Sequence, residues 1–119
     1  MGGPEHAIQN VIRLALPTWN AVGFRANVGQ SWTGGEIIRL ANGDVLIRGA
    51  RPFSTGLPPG FSDIFGLTNE GQFFAIECKA SNGKTSDKQR HFLQTIRDHG
   101  GLAGVARSVE EAENIILKG

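Results

Sequence analysis

The chain has 119 residues, of which 39% are hydrophobic and 19% charged, with a formal net charge of +1. This length predicts one domain over residues 1–119, with a single hydrophobic core. No apolar run approaches the roughly 18–20 residues needed to span a bilayer, and no signal peptide is evident, so we expect a cytoplasmic protein without a membrane partner. The single cysteine excludes an internal disulfide framework.

The first predicted element is a helix over residues 4–16. Apolar residues recur there at helical spacing, a proline suits its first turn, and Pro17 marks its end. Glu5 is in phase with the apolar stripe. Periodicity alone favours a carboxylate stabilised by the helix dipole over a functional one. A strand over residues 23–28 and a loop through residues 29–31 are predicted to follow.

A β-hairpin is predicted around Asn42-Gly43, the strongest short-range hairpin signal in the chain. Its register places Arg39 and Arg48 on the two arms, and Arg51 follows just beyond. Solvated surface charges and contacts with phosphate groups explain these arginines equally well. The stretch from 49 to 60 is rich in glycine and proline and is predicted to be a loop.

Two apolar runs after this loop carry the residues of greatest chemical interest. Asp63 opens the first run, and Glu77 and Lys79 end the second. Because strand side chains alternate between faces, Glu77 and Lys79 share one face. A hairpin through residues 68–71 would bring Asp63 to the same end of the sheet. The opposite face of the second run carries the predicted core residues Phe74, Ile76 and Cys78.

The C-terminal part of the chain is predicted to be helix, strand and helix. Ser86 and Gln89 fit a capping box that opens a helix running to about His99. Gln89 begins the buried stripe of this helix and can face the sheet end, although capping alone explains the residue. A short strand is predicted over residues 102–106, and a second capping box over residues 108–111 opens the terminal helix.

Asp63, Glu77 and Lys79 suggest a metal-dependent reaction. Two adjacent carboxylates repel each other, and a divalent cation relieves that repulsion. Oxygen ligands without a histidine or cysteine cluster suit Mg²⁺ or Mn²⁺. A lysine beside them can orient or deprotonate a water, or neutralise charge on a phosphate, and this predicts phosphodiester hydrolysis. A surface strand with a salt bridge between Glu77 and Lys79 accounts for the same pattern equally well.

Together, the motifs Gly60-Phe61-Ser62-Asp63-Ile64 and Ile76-Glu77-Cys78-Lys79-Ala80, with Gln89, resemble the PD-(D/E)XK nuclease superfamily. The closer resemblance is to its VRR-Nuc branch, of the stand-alone bacterial or phage type. It extends over nearly the whole chain, including the early helix, residues 27–29 and residues 104–111. It implies a restriction-endonuclease-like α/β core in αβββαβ order, a central mixed sheet flanked by helices, an extra hairpin and a C-terminal helix.

The resemblance also implies roles for single residues. The matches for Asp63, Glu77 and the backbone carbonyl of Cys78 bind the catalytic metal, and the match for Lys79 is the catalytic lysine. Gln89 supports the site from the following helix, and Glu5 contributes to it from the first helix. One departure is Pro59, which stands where a basic residue is often seen, so a phosphate contact is missing there.

The substrate implied by the resemblance is branched DNA, such as a Holliday junction, cut by a homodimer. A second subunit is the simplest way to grip a substrate with two strands to cleave. The alternatives are a non-cleaving, nucleic-acid-binding structural subunit with the same fold, a flap nuclease and a restriction-type nuclease. The candidate phosphate contacts are Arg39, Arg48, Arg51, Lys84, Lys88 and Arg90.

Overall fold

A computed structural model describes residues 3–26, 30–54 and 56–118. The chain groups into two compact units, one within Met1–Ala26 and Pro59–Gly119 and the other within Asn27–Pro58. A single domain over residues 1–119 stays a prediction. No helix in the described ranges is long and apolar enough to cross a membrane. The elements in chain order are α1 (Pro4–Ala15), a 3-10 helix (Leu16–Trp19), β1 (Val22–Arg25), β2 (Gln30–Thr33), β3 (Glu36–Arg39), β4 (Val45–Arg48), β5 (Arg51–Ser54), β6 (Ile64–Leu67), β7 (Phe73–Cys78), α2 (Asp87–Asp98), β8 (Leu102–Ala106) and α3 (Val109–Lys118).

The larger unit contains a four-stranded mixed sheet in the order β1, β6, β7, β8. The first three strands pair antiparallel, whereas β8 lies parallel to β7. A parallel neighbour requires a crossover connection, and α2 supplies it. With α1 ahead of the sheet, this is the αβββαβ order, so the predicted α/β core with a C-terminal helix is confirmed.

The two faces of β7 have different surroundings. Phe74, Ile76 and Cys78 are fully buried on one face, in a core shared with α1 and α3. This confirms the predicted alternation. The opposite face carries aromatic packing, where the ring of Phe61 lies 5.3 Å from that of Phe65 and 4.8 Å from that of Phe92 in α2. The core residues contributed by α1, the 3-10 helix and α3 are Ile12, Leu16, Ala112 and Ile116.

The N-terminal predictions hold with small shifts at the boundaries. The first helix ends at Ala15, and the chain continues as a 3-10 helix in which Pro17 occupies the first turn. The strand predicted over residues 23–28 begins at Val22 and ends at Arg25. Residues 27–29, which contribute to the predicted strand, the predicted loop and the family resemblance, lie outside the described residues.

The smaller unit confirms the predicted hairpin and corrects two predicted loops. Strands β3 and β4 pair antiparallel, with Arg39 opposite Val45. Gln30–Thr33 is a strand, so the loop predicted at residues 29–31 is wrong at residues 30 and 31. Arg51–Ser54 is the antiparallel partner of that strand, so the loop predicted at residues 49–60 is wrong at residues 51–54, whereas residues 49–50 and 56–60 are irregular as predicted. Pro52 is tolerated because both strands of a two-stranded sheet are edge strands, so its missing N–H leaves no inner ladder incomplete.

The predicted start of α2 is confirmed in detail. Ser86 Oγ accepts a hydrogen bond from the Gln89 N–H at 3.1 Å, and Gln89 Oε1 accepts one from the Ser86 N–H at 2.8 Å. His99 caps the other end.

The second predicted capping box is half correct. Ser108 Oγ accepts from the Glu111 N–H at 3.2 Å, as predicted. The Glu111 carboxylate, however, accepts from the Arg107 N–H at 2.6 Å, one residue before the position a capping box requires.

Candidate active site

Asp63 and Glu77 meet at one end of the β6 and β7 hairpin. Ile64 pairs with Ile76 in the antiparallel register, so the residue before β6 lies beside Glu77. Asp63 Oδ2 accepts a hydrogen bond of 2.8 Å from the Cys78 N–H, which anchors its carboxylate to the neighbouring strand. The hairpin thus brings two carboxylates, fourteen positions apart in the sequence, to one end of the sheet.

Glu77 is 2% exposed, and the two oxygens of its carboxylate differ in their contacts. Oε2 accepts a hydrogen bond of 2.8 Å from Gln89 Nε2 and lies 3.7 Å from Lys79 Nζ. Oε1 is buried and has no hydrogen-bond partner among the described residues. Because Gln89 Oε1 is engaged in the helix cap, only its amide nitrogen is available to Glu77. The capping box therefore determines how the amide faces the site.

Burial dominates the electrostatics of the carboxylate pair. It raises the pKa of Glu77 to about 8, assisted by the charge of Asp63 and opposed by the Lys79 ammonium. Burial also raises the pKa of Asp63, although the hydrogen bond from the Cys78 N–H acts in the opposite direction. Two ionised carboxylates are unfavourable here without a further cation.

The donor atoms present fit a divalent cation. Carboxylate oxygens are the ligands preferred by Mg²⁺ and Mn²⁺, and an unpartnered buried oxygen such as Glu77 Oε1 is a natural ligand. In residues 3–26, 30–54 and 56–118, no three histidine, cysteine, aspartate or glutamate side chains form a ligand cluster. Two side-chain ligands suffice for a cation that retains several waters. The Cys78 backbone carbonyl stays a predicted additional ligand.

Glu5 lies in the first turn of α1 and is half-buried. Its charge contributes to raising the pKa of both Asp63 and Glu77, which places it within electrostatic reach of the pair. Glu5 Oε2 also lies 3.2 Å from the point that a Cβ on Gly83 would occupy. A direct metal-ligating role for Glu5 stays a prediction.

The thiol of Cys78 belongs to the hydrophobic core. It is fully buried, and burial raises its pKa above the ordinary value for cysteine. A nucleophilic cysteine requires the thiolate form and access to solvent, so this side chain does not act as one.

The six predicted phosphate contacts are divided between the two units. In the larger unit, Lys84 and Lys88 are exposed, whereas Arg90 contacts Asp87 and donates a 2.6 Å hydrogen bond to the Thr85 carbonyl. In the smaller unit, Arg39 and Arg51 are exposed, and Arg48 lies 3.5 Å from Glu36. Two of the six thus have an acidic neighbour in the protein, and contact with DNA stays a prediction for all of them.

Sequence reasoning missed Arg107, which fixes the turn that follows Lys79. Its Nη1 donates to the carbonyl oxygens of Ala80 and Gly83 at 2.6 and 2.7 Å. Cys78 pairs with Ala106 in the parallel register, and the Lys79 N–H donates to the Ala106 carbonyl, so the arginine follows directly beside the lysine. Backbone carbonyl partners leave no signature in side-chain identity, which explains the omission.

A family model describing the VRR-NUC domain matches residues 27–110, more than half of the chain. This range contains Asp63, Glu77, Lys79 and Gln89, and it excludes Glu5. No curated protein matches the chain.

Proposed function

The chain belongs to the VRR-NUC family, whose nuclease domain implies DNA binding, and we propose that it is a divalent-metal-dependent endonuclease acting on branched DNA. The reaction is hydrolysis of phosphodiester bonds, with a four-way Holliday junction as the proposed substrate. The observation that supports this most directly is the meeting of buried Glu77 and Lys79 with half-buried Asp63 and Gln89 around an unpartnered carboxylate oxygen.

In this proposal Asp63 and Glu77 hold Mg²⁺ or Mn²⁺, with the Cys78 carbonyl and Glu5 as further ligands. Such a cation, when bound, polarises a phosphate oxygen and lowers the pKa of a bound water. Gln89 donates to Glu77 Oε2 and so leaves Oε1 for ligation. Asp63 is held by the Cys78 N–H, so little side-chain freedom is lost on binding.

Lys79 supplies a positive charge from the protein itself, in addition to the charge of the metal cation. Its ammonium is 3.7 Å from the Glu77 carboxylate, and only 11% of its side chain is exposed. In this position it donates a hydrogen bond to the attacking water or to a phosphate oxygen. A cation placed in advance stabilises the charge that develops in the transition state without reorganising solvent.

Exposed aromatic residues of the smaller unit support branched rather than plain duplex DNA. Trp32 is 62% and Phe53 51% exposed. Aromatic rings stack on unpaired bases, with about 1–3 kcal/mol per base, and unpaired bases occur at junctions and flaps. The arginines of the same unit, Arg39 and Arg51, are suited to phosphate contacts.

A homodimer is part of the proposal because resolution of a junction requires a cut in each of two strands. An apolar strip on the outer strand pair of the larger unit supports self-association. Val22 and Leu67 are cross-strand partners there, with 58% and 47% of their surfaces exposed. Phe24, two residues along β1, is 53% exposed on the same face. We call Val22, Phe24 and Leu67 the β1–β6 strip.

The direct test is cleavage of junction, flap and linear duplex substrates of matched sequence, in Mg²⁺, in Mn²⁺ and in EDTA. We expect metal-dependent cleavage of the junction. Lys79→Ala is expected to lower kcat on the order of 100- to 1000-fold, the usual effect of removing a group that stabilises transition-state charge. Lys118→Ala, which removes an exposed lysine from α3, is the matched control.

Each alternative has its own outcome in this assay. Tight junction binding without cleavage in either metal would identify a non-cleaving structural subunit. Preferred cutting of flaps, or discrete bands from linear duplex, would identify a flap or a restriction-type nuclease. Unchanged cleavage by Lys79→Ala would contradict the assigned site.

A further inference from the structure

At Gly60 the loop leading to Asp63 passes close to the first turn of α2. Its φ is +83°, a conformation that favours glycine. A Cβ placed on Gly60 would lie 2.4 Å from the Lys88 carbonyl oxygen and 2.9 Å from the Gln89 nitrogen. Real Cβ atoms essentially never come as close as the first of these distances, and the contacted atoms belong to the backbone. Any side chain at position 60 therefore requires the loop or the first turn of α2 to move.

The neighbouring aromatic residue strengthens this contact. The Phe61 ring lies 4.8 Å from the Phe92 ring of α2 and 5.3 Å from the Phe65 ring of β6. The loop is thus packed against both the helix and the sheet by the residue that directly follows the close approach. A displacement at position 60 is transmitted to the helix because the aromatic contacts leave the loop little freedom to retreat.

Gln89, whose backbone contacts Gly60, makes the hydrogen bond that orients Glu77. Its Nε2 donates to Glu77 Oε2 at 2.8 Å, and its Oε1 is engaged by the Ser86 N–H. With both ends of the amide engaged, a movement of the helix cannot be absorbed by rotating the side chain. A hydrogen bond weakens within a few tenths of an ångström of its optimum length. The distance between the Gly60 loop and α2 therefore affects the strength of the hydrogen bond from Gln89 to Glu77.

We propose that Gly60 is a positioning residue of the active centre. Its lack of a side chain sets the spacing between the loop that carries Asp63 and the first turn of α2, and so maintains the hydrogen bond from Gln89 to Glu77. The catalytic consequence rests on the proposed nuclease function, whereas the structural consequence depends only on the contacts described above.

The test compares Gly60→Ala with Gly71→Ala. Gly71 has a φ of +81°, and nothing lies within 4 Å of a Cβ built on it. Both substitutions place an alanine at nearly the same positive φ, and only the first adds a steric contact with α2. The first readout is the side-chain amide signal of Gln89 in the ¹⁵N–¹H spectrum of the metal-free protein, assigned with Gln89→Ala.

We expect Gly60→Ala to shift the Gln89 amide signals toward those of a solvent-exposed amide and Gly71→Ala to leave them unchanged. In the cleavage assay, kcat is expected to fall roughly 10-fold or more for Gly60→Ala with little change in KM, because misplaced groups affect the chemical step. Gln89 signals and a kcat indistinguishable from those of Gly71→Ala would overturn the proposal.

A second variant covers the case in which Gly60→Ala does not fold. Phe61→Leu keeps the glycine and weakens the packing of the same loop on Phe92, so a smaller shift of the same Gln89 signals is expected. A folded Phe61→Leu protein with unchanged signals would also overturn the proposal. A wild-type protein without nuclease activity would contradict the proposed function alone, since the amide signals are measured without metal or DNA.

Discussion

Glu77 carries a carboxyl group that the folded protein favours in its protonated form. The residue is 2% exposed, and the charge of Asp63 adds to the effect of burial. The pKa of Glu77 is consequently raised from 4.5 to about 8. A group that binds its proton more tightly in the folded state stabilises the fold where it is protonated and loses that contribution as it ionises.

The metal-free protein is therefore expected to lose stability as the pH rises from about 4.5 to about 8, the window between the unfolded and folded pKa values of Glu77. Glu77→Gln keeps an acceptor for Gln89 and cannot ionise. We expect it to have a higher Tm than the wild type in EDTA at pH 8, with the difference shrinking toward pH 4.5. Thermal unfolding of the two proteins between pH 4.5 and pH 8 measures the loss of wild-type stability and the difference in Tm.

The same substitution separates stability from function. Glu77→Gln should abolish cleavage and remove most of the thermal stabilisation by Mn²⁺, which in the wild type amounts to about 2.7 kcal/mol at 100 times the Kd. Metal binding displaces the proton of Glu77, so stabilisation of the wild type by Mn²⁺ should increase with pH. Equal pH slopes for the two proteins in EDTA would contradict the assignment of the raised pKa to Glu77.

At the scale of elements, the turn after β7 connects the lysine to the rest of the site. Arg107, the residue that follows β8, donates to two carbonyls of this turn. Gly83 in the same turn lies close to the Glu5 carboxylate. The turn thus lies between Lys79 and the first helix, and the Arg107 guanidinium holds it together with the hydrogen bond from the Gly83 N–H to the Ala80 carbonyl.

Removing that guanidinium should misplace Lys79 without unfolding the sheet. We expect Arg107→Ala to lower kcat roughly 10- to 100-fold, as small displacements of catalytic groups do, while the metal-free Tm changes little. Arg107→Lys retains a donor for the carbonyls and should recover part of the activity. Steady-state cleavage of the junction, with circular dichroism as the folding control, checks this. Full activity in Arg107→Ala would show that the turn needs no such support.

How much of the fold and of the site can be predicted from the sequence depends on whether the interacting residues are near or far apart along the chain. The start of α2 and the hairpin at Asn42 were predictable because capping and turn chemistry are local. Strand β5 was not, because Pro52 suggested a loop and only its partner strand makes the segment regular. Arg107 and Gly60 act through backbone atoms distant in sequence, so their roles became visible only in the fold.

At the scale of the whole molecule, apolar surface remains exposed on the larger unit. The β1–β6 strip lies on the outer strand pair, and β1 is an edge strand of the four-stranded sheet as far as the structure describes it. Contiguous exposed apolar side chains beside a strand edge are a common mark of protein association. This surface is where the proposed homodimer would bury apolar area.

Leu67→Glu is expected to weaken self-association by at least about 10-fold in Kd, because it places a charge inside an apolar contact. Leu117→Glu, at an exposed position on α3, is the matched control and should leave association unchanged. Light scattering and sedimentation at micromolar concentration measure the effect. A wild-type monomer that still cuts a four-way junction would refute the dimer itself.

Because Cys78 is buried, the reactivity of its thiol reports how firmly β7 is held in the fold. It is the single cysteine of the chain, fully enclosed on the strand whose N–H anchors Asp63. A thiol reagent reaches it only when β7 separates from the helices beneath, so the rate of alkylation reports the frequency of that opening. A cation held by Asp63 and Glu77 should slow the labelling, so the affinity for the cation becomes measurable without DNA.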